Sequence, residues 1–191
     1  MKILIASDIH GSACYCRLLL DRIAAEQPDR IFLLGDILYH GPRNDLPREY
    51  NPKQVIAMLN PLARRITAVR GNCDAEVDQM VLDFDVMQTY REEQINGMPF
   101  ILTHGHHYNP DKPFPLETRH VLLNGHFHVP ELTDKGAYVY VNCGSVSIPK
   151  QNSPHSYVIY EDNHFWLKDV ETGEVFDSLE QSDLAEPSYI G

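Results

Sequence analysis

The stretch "KILIASDIHGSACYCRLLLDRIAAEQPDRIFLLGD" (Lys2 to Asp36) decides the fold. Lys2 to Ala6 is a short, nearly continuous apolar run, the pattern of a buried strand. "CYCRLLLDRIAAE" then sets Leu18, Leu19, Ile23 and Ala24 at helical spacing, and "RIFLLG" reads as a strand again. Beyond it, "PKQVIAMLNPLA" is a second helix and "ITAVRG" a third strand. This βαβαβ order predicts a parallel sheet with helices packed on it.

The second half is mostly β. "TYREEQINGMPFILTHG" holds two strand-like runs around Asn96-Gly97, the dipeptide suited to a type I′ hairpin. "HVLLNGH", "AYVYVNCG", "HSYVIYED" and "HFWLKD" follow as strands, the last two turning near Asp162-Asn163. "NPDKPFPLE" is a proline-rich loop, and the tail from about Ser178 is polar and expected to be loosely held. Two packed sheets with helices outside are the expected architecture.

With 191 residues and 43% hydrophobic content, one domain spanning 1–191 is expected. A net charge of -11 argues against nucleic acid or an anionic membrane as partner, since either calls for a basic patch. The apolar runs are far shorter than the roughly 20 residues of a membrane span, and no leader pattern opens the chain, so a cytoplasmic location is expected. Cys14, Cys16, Cys73 and Cys143 form no CxxC pair and read as free thiols. A homo-oligomer is compatible with the sequence, though no stretch marks an interface.

Five apolar runs end in residues able to bind a metal: Asp8 and His10, Asp36, Asn72, His104, and His126 with His128. In open α/β sheets, sites form beyond the carboxyl ends of strands, so these five ends are expected to meet in one crevice. In D-x-H and H-x-H an extended backbone would turn residues i and i+2 to the same side, ready to chelate. Seven oxygen and nitrogen donors are too many for one tetrahedral ion, whereas two ions bridged by one carboxylate use them all. Phosphoryl-transfer hydrolases use such pairs, about 3.5–4 Å apart.

The series "SDIHG", "LLGDILYHGPRN", "VRGNCD", "LTHGH", "GHFH" and "NCGSVSIPK", in order from about residue 3 to 150, resembles the calcineurin-like metallophosphoesterases, most closely the small YfcE-type phosphodiesterases. The resemblance implies an αββα sandwich of two mixed sheets flanked by helices. It also implies one metal on Asp8, His10 and His128, another on Asn72, His104 and His126, and Asp36 bridging them. Two divalent cations are the expected cofactors, Mn first, with Zn, Fe or Mg as alternatives. The substrate would be a small or activated phosphodiester, attacked by hydroxide bridging the metals. Two such ions would exceed the charge of Asp8, Asp36 and one hydroxide by about one positive unit, enough to hold a phosphoryl anion in an acidic protein.

Asn72, Cys73 and His104 are the expected catalytic positions. Many members of the family carry His where Cys73 stands, at the leaving group. A neutral thiol is the weaker acid there, with a reference pKa of about 8.5 against about 6.5, so alkoxide departure should suffer most. Arg43, Asn44 and His106 are the expected substrate contacts, and Asn142 to Gly144 should form a turn behind the site. Phe127 stands where Thr is common in the family. A phosphomonoesterase or nucleotidase, or a non-catalytic scaffold like the retromer subunit of this fold, are the alternatives. All seven metal-binding positions are present, which weighs against the scaffold.

Overall fold

The computed structural model describes residues 1–181. The first half alternates as expected: β1 (Ile3–Ala6), α1 (Ala13–Glu26), β2 (Arg30–Leu33), α2 (Pro52–Leu59) and β3 (Ile66–Ala68). Ser12 caps α1 by accepting from the Tyr15 N–H, and Asn51 caps α2 by accepting from Gln54. Pro61 has no N–H to donate, and the expected second helix accordingly ends at Leu59 and continues as a 3-10 turn over Asn60–Arg65. A one-turn helix, α3 (Glu76–Gln79), follows β3.

The second half supplies β4 (Tyr90–Ile95), β5 (Met98–Thr103), β6 (His120–Asn124), β7 (Glu131–Asp134), β8 (Tyr138–Asn142), β9 (Ser156–Glu161), β10 (His164–Asp169) and β11 (Val175–Glu180). Asn96 and Gly97 both have positive φ, and Ile95 pairs with Met98, as a two-residue I′ hairpin requires. Asp162 and Asn163 do the same between β9 and β10. Of the tail expected to be loose, Ser178 to Glu180 pair with β10, and the rest, beyond Gln181, lies outside the described residues.

Two mixed sheets result, ordered β11-β10-β9-β1-β2-β3 and β4-β5-β6-β8-β7. Strands β1, β2 and β3 run parallel, as do β5, β6 and β8. Side chains alternate across each strand: Ile3 and Ile5 face the second sheet with Phe100 and Leu102, while Leu4 and Ala6 face Cys16, Leu19 and Ile23 of α1. The helices thus cover the outer face of the first sheet. The outer face of the second, at Ile101, Leu122 and Tyr140, is covered by Tyr108, Phe114 and Leu116 of the proline-rich loop. No helix among the described residues is long and apolar enough to cross a membrane.

Candidate metal centre

Asp8 and His10 follow β1, Asp36 follows β2, Asn72 follows β3, His104 follows β5, and His126 and His128 follow β6. Asp8, His10, Asp36, His126 and His128 have φ of 49 to 64°. Side chains other than glycine rarely take this left-handed conformation, which costs on the order of 1–3 kcal/mol per residue and concentrates at functional sites. The extended D-x-H and H-x-H geometry expected from spacing is therefore corrected: the strands have already ended, and left-handed turns aim these side chains. Asp8 still meets His10, but His126 and His128 part, His126 toward His104 and His128 toward His10.

The imidazole protons can be placed. Nδ1 of His10 donates to the Tyr39 carbonyl at 2.8 Å and Nδ1 of His128 to the Ile148 carbonyl at 2.7 Å, so in the neutral ring each Nε2 is an acceptor. Those two Nε2 atoms face each other at 3.3 Å. Asp8 Oδ1, buried and without a hydrogen-bond donor, lies 3.4 Å from the first and 3.1 Å from the second.

A second cluster has the same character. His104 Nδ1 donates to the Leu34 carbonyl at 2.7 Å, and its Nε2 faces Asn72 Oδ1 at 3.1 Å, His126 Nδ1 at 3.2 Å and Asp36 Oδ2 at 3.4 Å. Asp36 Oδ2 is also 3.7 Å from His10 Nε2, between the two groups. Converging lone pairs repel unless a cation lies among them. The mixed nitrogen and oxygen donors suit divalent metal ions.

The surrounding backbone holds the carboxylates. Asp74 accepts from the N–H groups of Asp36, Ile37 and Gly71 at 2.7 to 2.9 Å, tying the β2 and β3 ends together. The Cys73 N–H donates to Asp36 Oδ1 at 2.8 Å, and the His126 N–H to Asp8 Oδ2 at 2.9 Å. A Cβ on Gly71 would overlap Asp36, and one on Gly125 would overlap Ser7 and Asp8, so only glycine allows these close approaches. The "NCGSVSIPK" segment anchors the same region: Ser145 and Ser147 hydroxyls donate to the Asp8 carbonyl at 2.9 and 3.0 Å. Asn142 forms the turn expected there, donating to Gly125 and accepting from the Gly144 N–H.

Burial opposes the charge on Asp8, but His104, His10 and His128 outweigh it and hold the carboxyl well below its usual range. Burial also opposes the His104 imidazolium, yet Asp8 and Asp36 raise it to about 9, so without metal this cluster keeps a proton where a cation would sit. His126 and His106 are pushed down to about 4 by burial and by His104, and remain neutral donors of electron pairs. Burial and the Asp36 carboxylate raise the Cys73 thiol above its ordinary value, so it stays protonated at neutral pH.

A cavity of about 360 Å³ opens over the centre, lined by Asp36, Asn72, His126 and His128 together with Arg43 and Asn44. Asn44 spends its amide on the His40 carbonyl at 2.8 Å, while Arg43 makes no ion pair among the described residues. His106 does not line this cavity. It lies edge-on to His104 and lines, with His107, a neighbouring one that shares Asn72.

A model of the calcineurin-like phosphoesterase superfamily domain matches residues 1–164. The chain belongs to that superfamily. Phosphodiesterase YfcE of Escherichia coli (strain K12) is 43% identical over 157 residues, which cover 82% of this chain and 85% of that protein. A solved structure of YfcE, described as a phosphoesterase from E. coli, matches with a TM-score of 0.92 at 37% identity, covering 95% of this chain and 100% of that one. Vps29 of Entamoeba histolytica complexed with zinc, at 19% identity, shares the fold with a TM-score of 0.65 over 94% of this chain and 99% of its own.

For a phosphoesterase of this superfamily, two further features stand at the cavity wall that sequence reading did not assign. Lys150 lines the cavity and makes no ion pair among the described residues, and Phe127 is 41% exposed at its mouth. Lys150 is the last residue of the "NCGSVSIPK" motif, but nothing in its spacing reveals that it folds back over His128, to whose carbonyl its N–H donates at 3.0 Å.

Proposed function

We propose that this chain is a metal-dependent phosphodiesterase with two divalent cations, Mn first, held by Asp8, His10 and His128 and by Asn72, His104 and His126, with Asp36 between them. The observation that carries this reading is the double convergence of potential metal-donor atoms around Asp8 Oδ1 and His104 Nε2. When bound, the ions supply Lewis-acid charge on the phosphoryl oxygens and an activated water as nucleophile. Arg43 and Lys150 place positive charge at the cavity wall, suited to a phosphate oxygen. The Asn72 amide donates to Cys73 Sγ at 3.2 Å, which turns its carbonyl oxygen to His104. Four free thiols suit a reducing, cytoplasmic setting, and one domain suffices for the reaction.

Chelation followed by add-back tests the reading. The stripped protein should hydrolyse neither bis-p-nitrophenyl phosphate nor p-nitrophenyl phosphate. Mn²⁺ should restore the diester activity at a rate well above the monoester. Faster monoester turnover would move the protein to the phosphomonoesterases, and no turnover with any divalent metal would leave only the scaffold.

Cys73 sets a second expectation. A thiol that stays protonated is a poor acid for an alkoxide, so turnover should be confined to good phenolate leaving groups. Cys73→His should raise kcat by about tenfold or more on poor leaving groups, part of the roughly 10²–10⁴-fold that a well-positioned general acid supplies. A series of aryl and alkyl diesters read as log kcat against leaving-group pKa should show a shallower slope for the variant. Identical slopes would make Cys73 a purely structural residue.

A further inference from the structure

Beside the metal cavity lies a second one, about 350 Å³, lined by Leu38, Tyr39, Tyr50, Ile56, Val77 and Val81 among others, and by Cys73. The two are lined by neighbouring residues of the same loops. Asn72 faces the polar cavity and Cys73 the apolar one, and in the loop after β2 Tyr39 faces the apolar cleft while Arg43 and Asn44 face the polar cavity. Gly41 of that loop lies directly over Cys73 Sγ, and a Cβ there would approach it to 2.8 Å. Val77 is 60% and Tyr39 42% exposed, an amount of open apolar surface that water does not favour. The one carboxylate in the lining, Asp78, is turned onto the Ala75 N–H at 2.8 Å. Its negative charge disfavours a second anionic group without disfavouring a neutral one.

We propose that this cleft is a substrate subsite for the ester arm on the Cys73 side, and that the preferred phosphodiester carries an uncharged aryl or alkyl group there. The proposal rests on the phosphodiesterase reading and adds the substrate class. The polar cavity holds the phosphoryl group, and the apolar cleft, which borders it at Asn72-Cys73 and along the Tyr39–Asn44 loop, receives the arm. A cleft of this volume accepts a phenyl ring or a short alkyl chain. A diester with a second phosphate or carboxylate on that arm would meet Asp78 and bind poorly.

The test uses the full chain with two readouts. The first is kcat/KM of the Mn-loaded protein for bis-p-nitrophenyl phosphate in wild type, Val77→Asp and Tyr39→Ala. A drop of about tenfold or more in each variant, with metal content and Tm retained, is expected, because loss of a single methylene contact in such a pocket already costs about tenfold. The second needs no hydrolysis: uncharged p-cresol should shift the methyl resonances of Val77, Val81 and Ile56 saturably in wild type, whereas inorganic phosphate should not. Hydrolysis by wild type with unchanged kcat/KM in both variants and no p-cresol shift would overturn the subsite and leave the phosphodiesterase reading intact. Saturable p-cresol shifts in a protein that hydrolyses no phosphoester would overturn that reading instead. If sedimentation shows that Val77→Asp dissociates an oligomer while kcat/KM is unchanged, the cleft is an interface between copies and the subsite is overturned.

Discussion

Asp36→Ala is expected to lower kcat/KM for bis-p-nitrophenyl phosphate by about a thousandfold or more. Asp36 Oδ2 lies 3.4 Å from His104 Nε2 and 3.7 Å from His10 Nε2, and so reaches both donor groups. Its Oδ1 is fixed by the Cys73 N–H, so the side chain cannot swing away from either group without breaking that bond. Removing it leaves two sets of nitrogens with no shared negative charge between them. Metal-ion catalysis supplies several kcal/mol of transition-state stabilisation, and about 4 kcal/mol corresponds to the stated loss in rate. Asp36→Asn keeps the volume and the contact with the Cys73 N–H, which separates loss of charge from loss of fold. Steady-state kinetics with metal analysis of both variants checks the result, and full activity at unchanged metal content would remove Asp36 from the centre.

The second large effect falls on stability. Asp74→Ala should lower Tm by roughly 6–12 °C, on the basis of about 3 kcal/mol at about 2–4 °C for each kcal/mol in a chain of this size. Asp74 is buried and accepts from three backbone N–H groups, on Asp36, Ile37 and Gly71, and the Ala variant leaves all three without a partner. Burial and the nearby Asp36 carboxylate raise the Asp74 carboxyl to about 6. A folded value above the unfolded one means that this group contributes most stability below about pH 4, and that the contribution is lost as pH rises through about 6. The Tm difference between wild type and Asp74→Ala, measured without metal, should therefore be larger at pH 4 than at pH 8. Calorimetry at both values reads this directly. A Tm within a degree of wild type would show that water satisfies the three donors.

Most of the fold is legible because its strands are strongly patterned. β1, β2, β5 and β6 are nearly continuous apolar runs, and Asn96-Gly97 imposes a left-handed pair that few other dipeptides tolerate. β7 and β11 are not legible: "ELTD" and "VFDSLE" are largely exposed edge strands, with no buried face to enforce an alternation. Their pairing comes from the neighbouring strand rather than from their own sequence. The break of the second helix at Leu59 was readable in Pro61, whose missing N–H ends the α-helical ladder.

The centre is legible as residue types at strand ends, and less so as geometry. Asp8, His10, His126 and His128 reach their positions through left-handed backbone, which a two-residue alternation does not anticipate. The bonds to Asp74 from the Asp36 and Ile37 N–H groups, and from Ser145 and Ser147 to the Asp8 carbonyl, join residues 37 or more positions apart in the chain, and that proximity exists only after folding. Lys150 and the apolar cleft beside Cys73 belong to the same category, since their walls come from separate loops.

The most direct measurement is the number of Mn²⁺ ions bound per chain, titrated into chelator-stripped protein alongside diester hydrolysis. Two ions per chain at saturation is the expected result, with turnover following occupancy of the second. Full turnover in the presence of excess chelator, or with one ion bound, would contradict a centre of two cations bridged by Asp36.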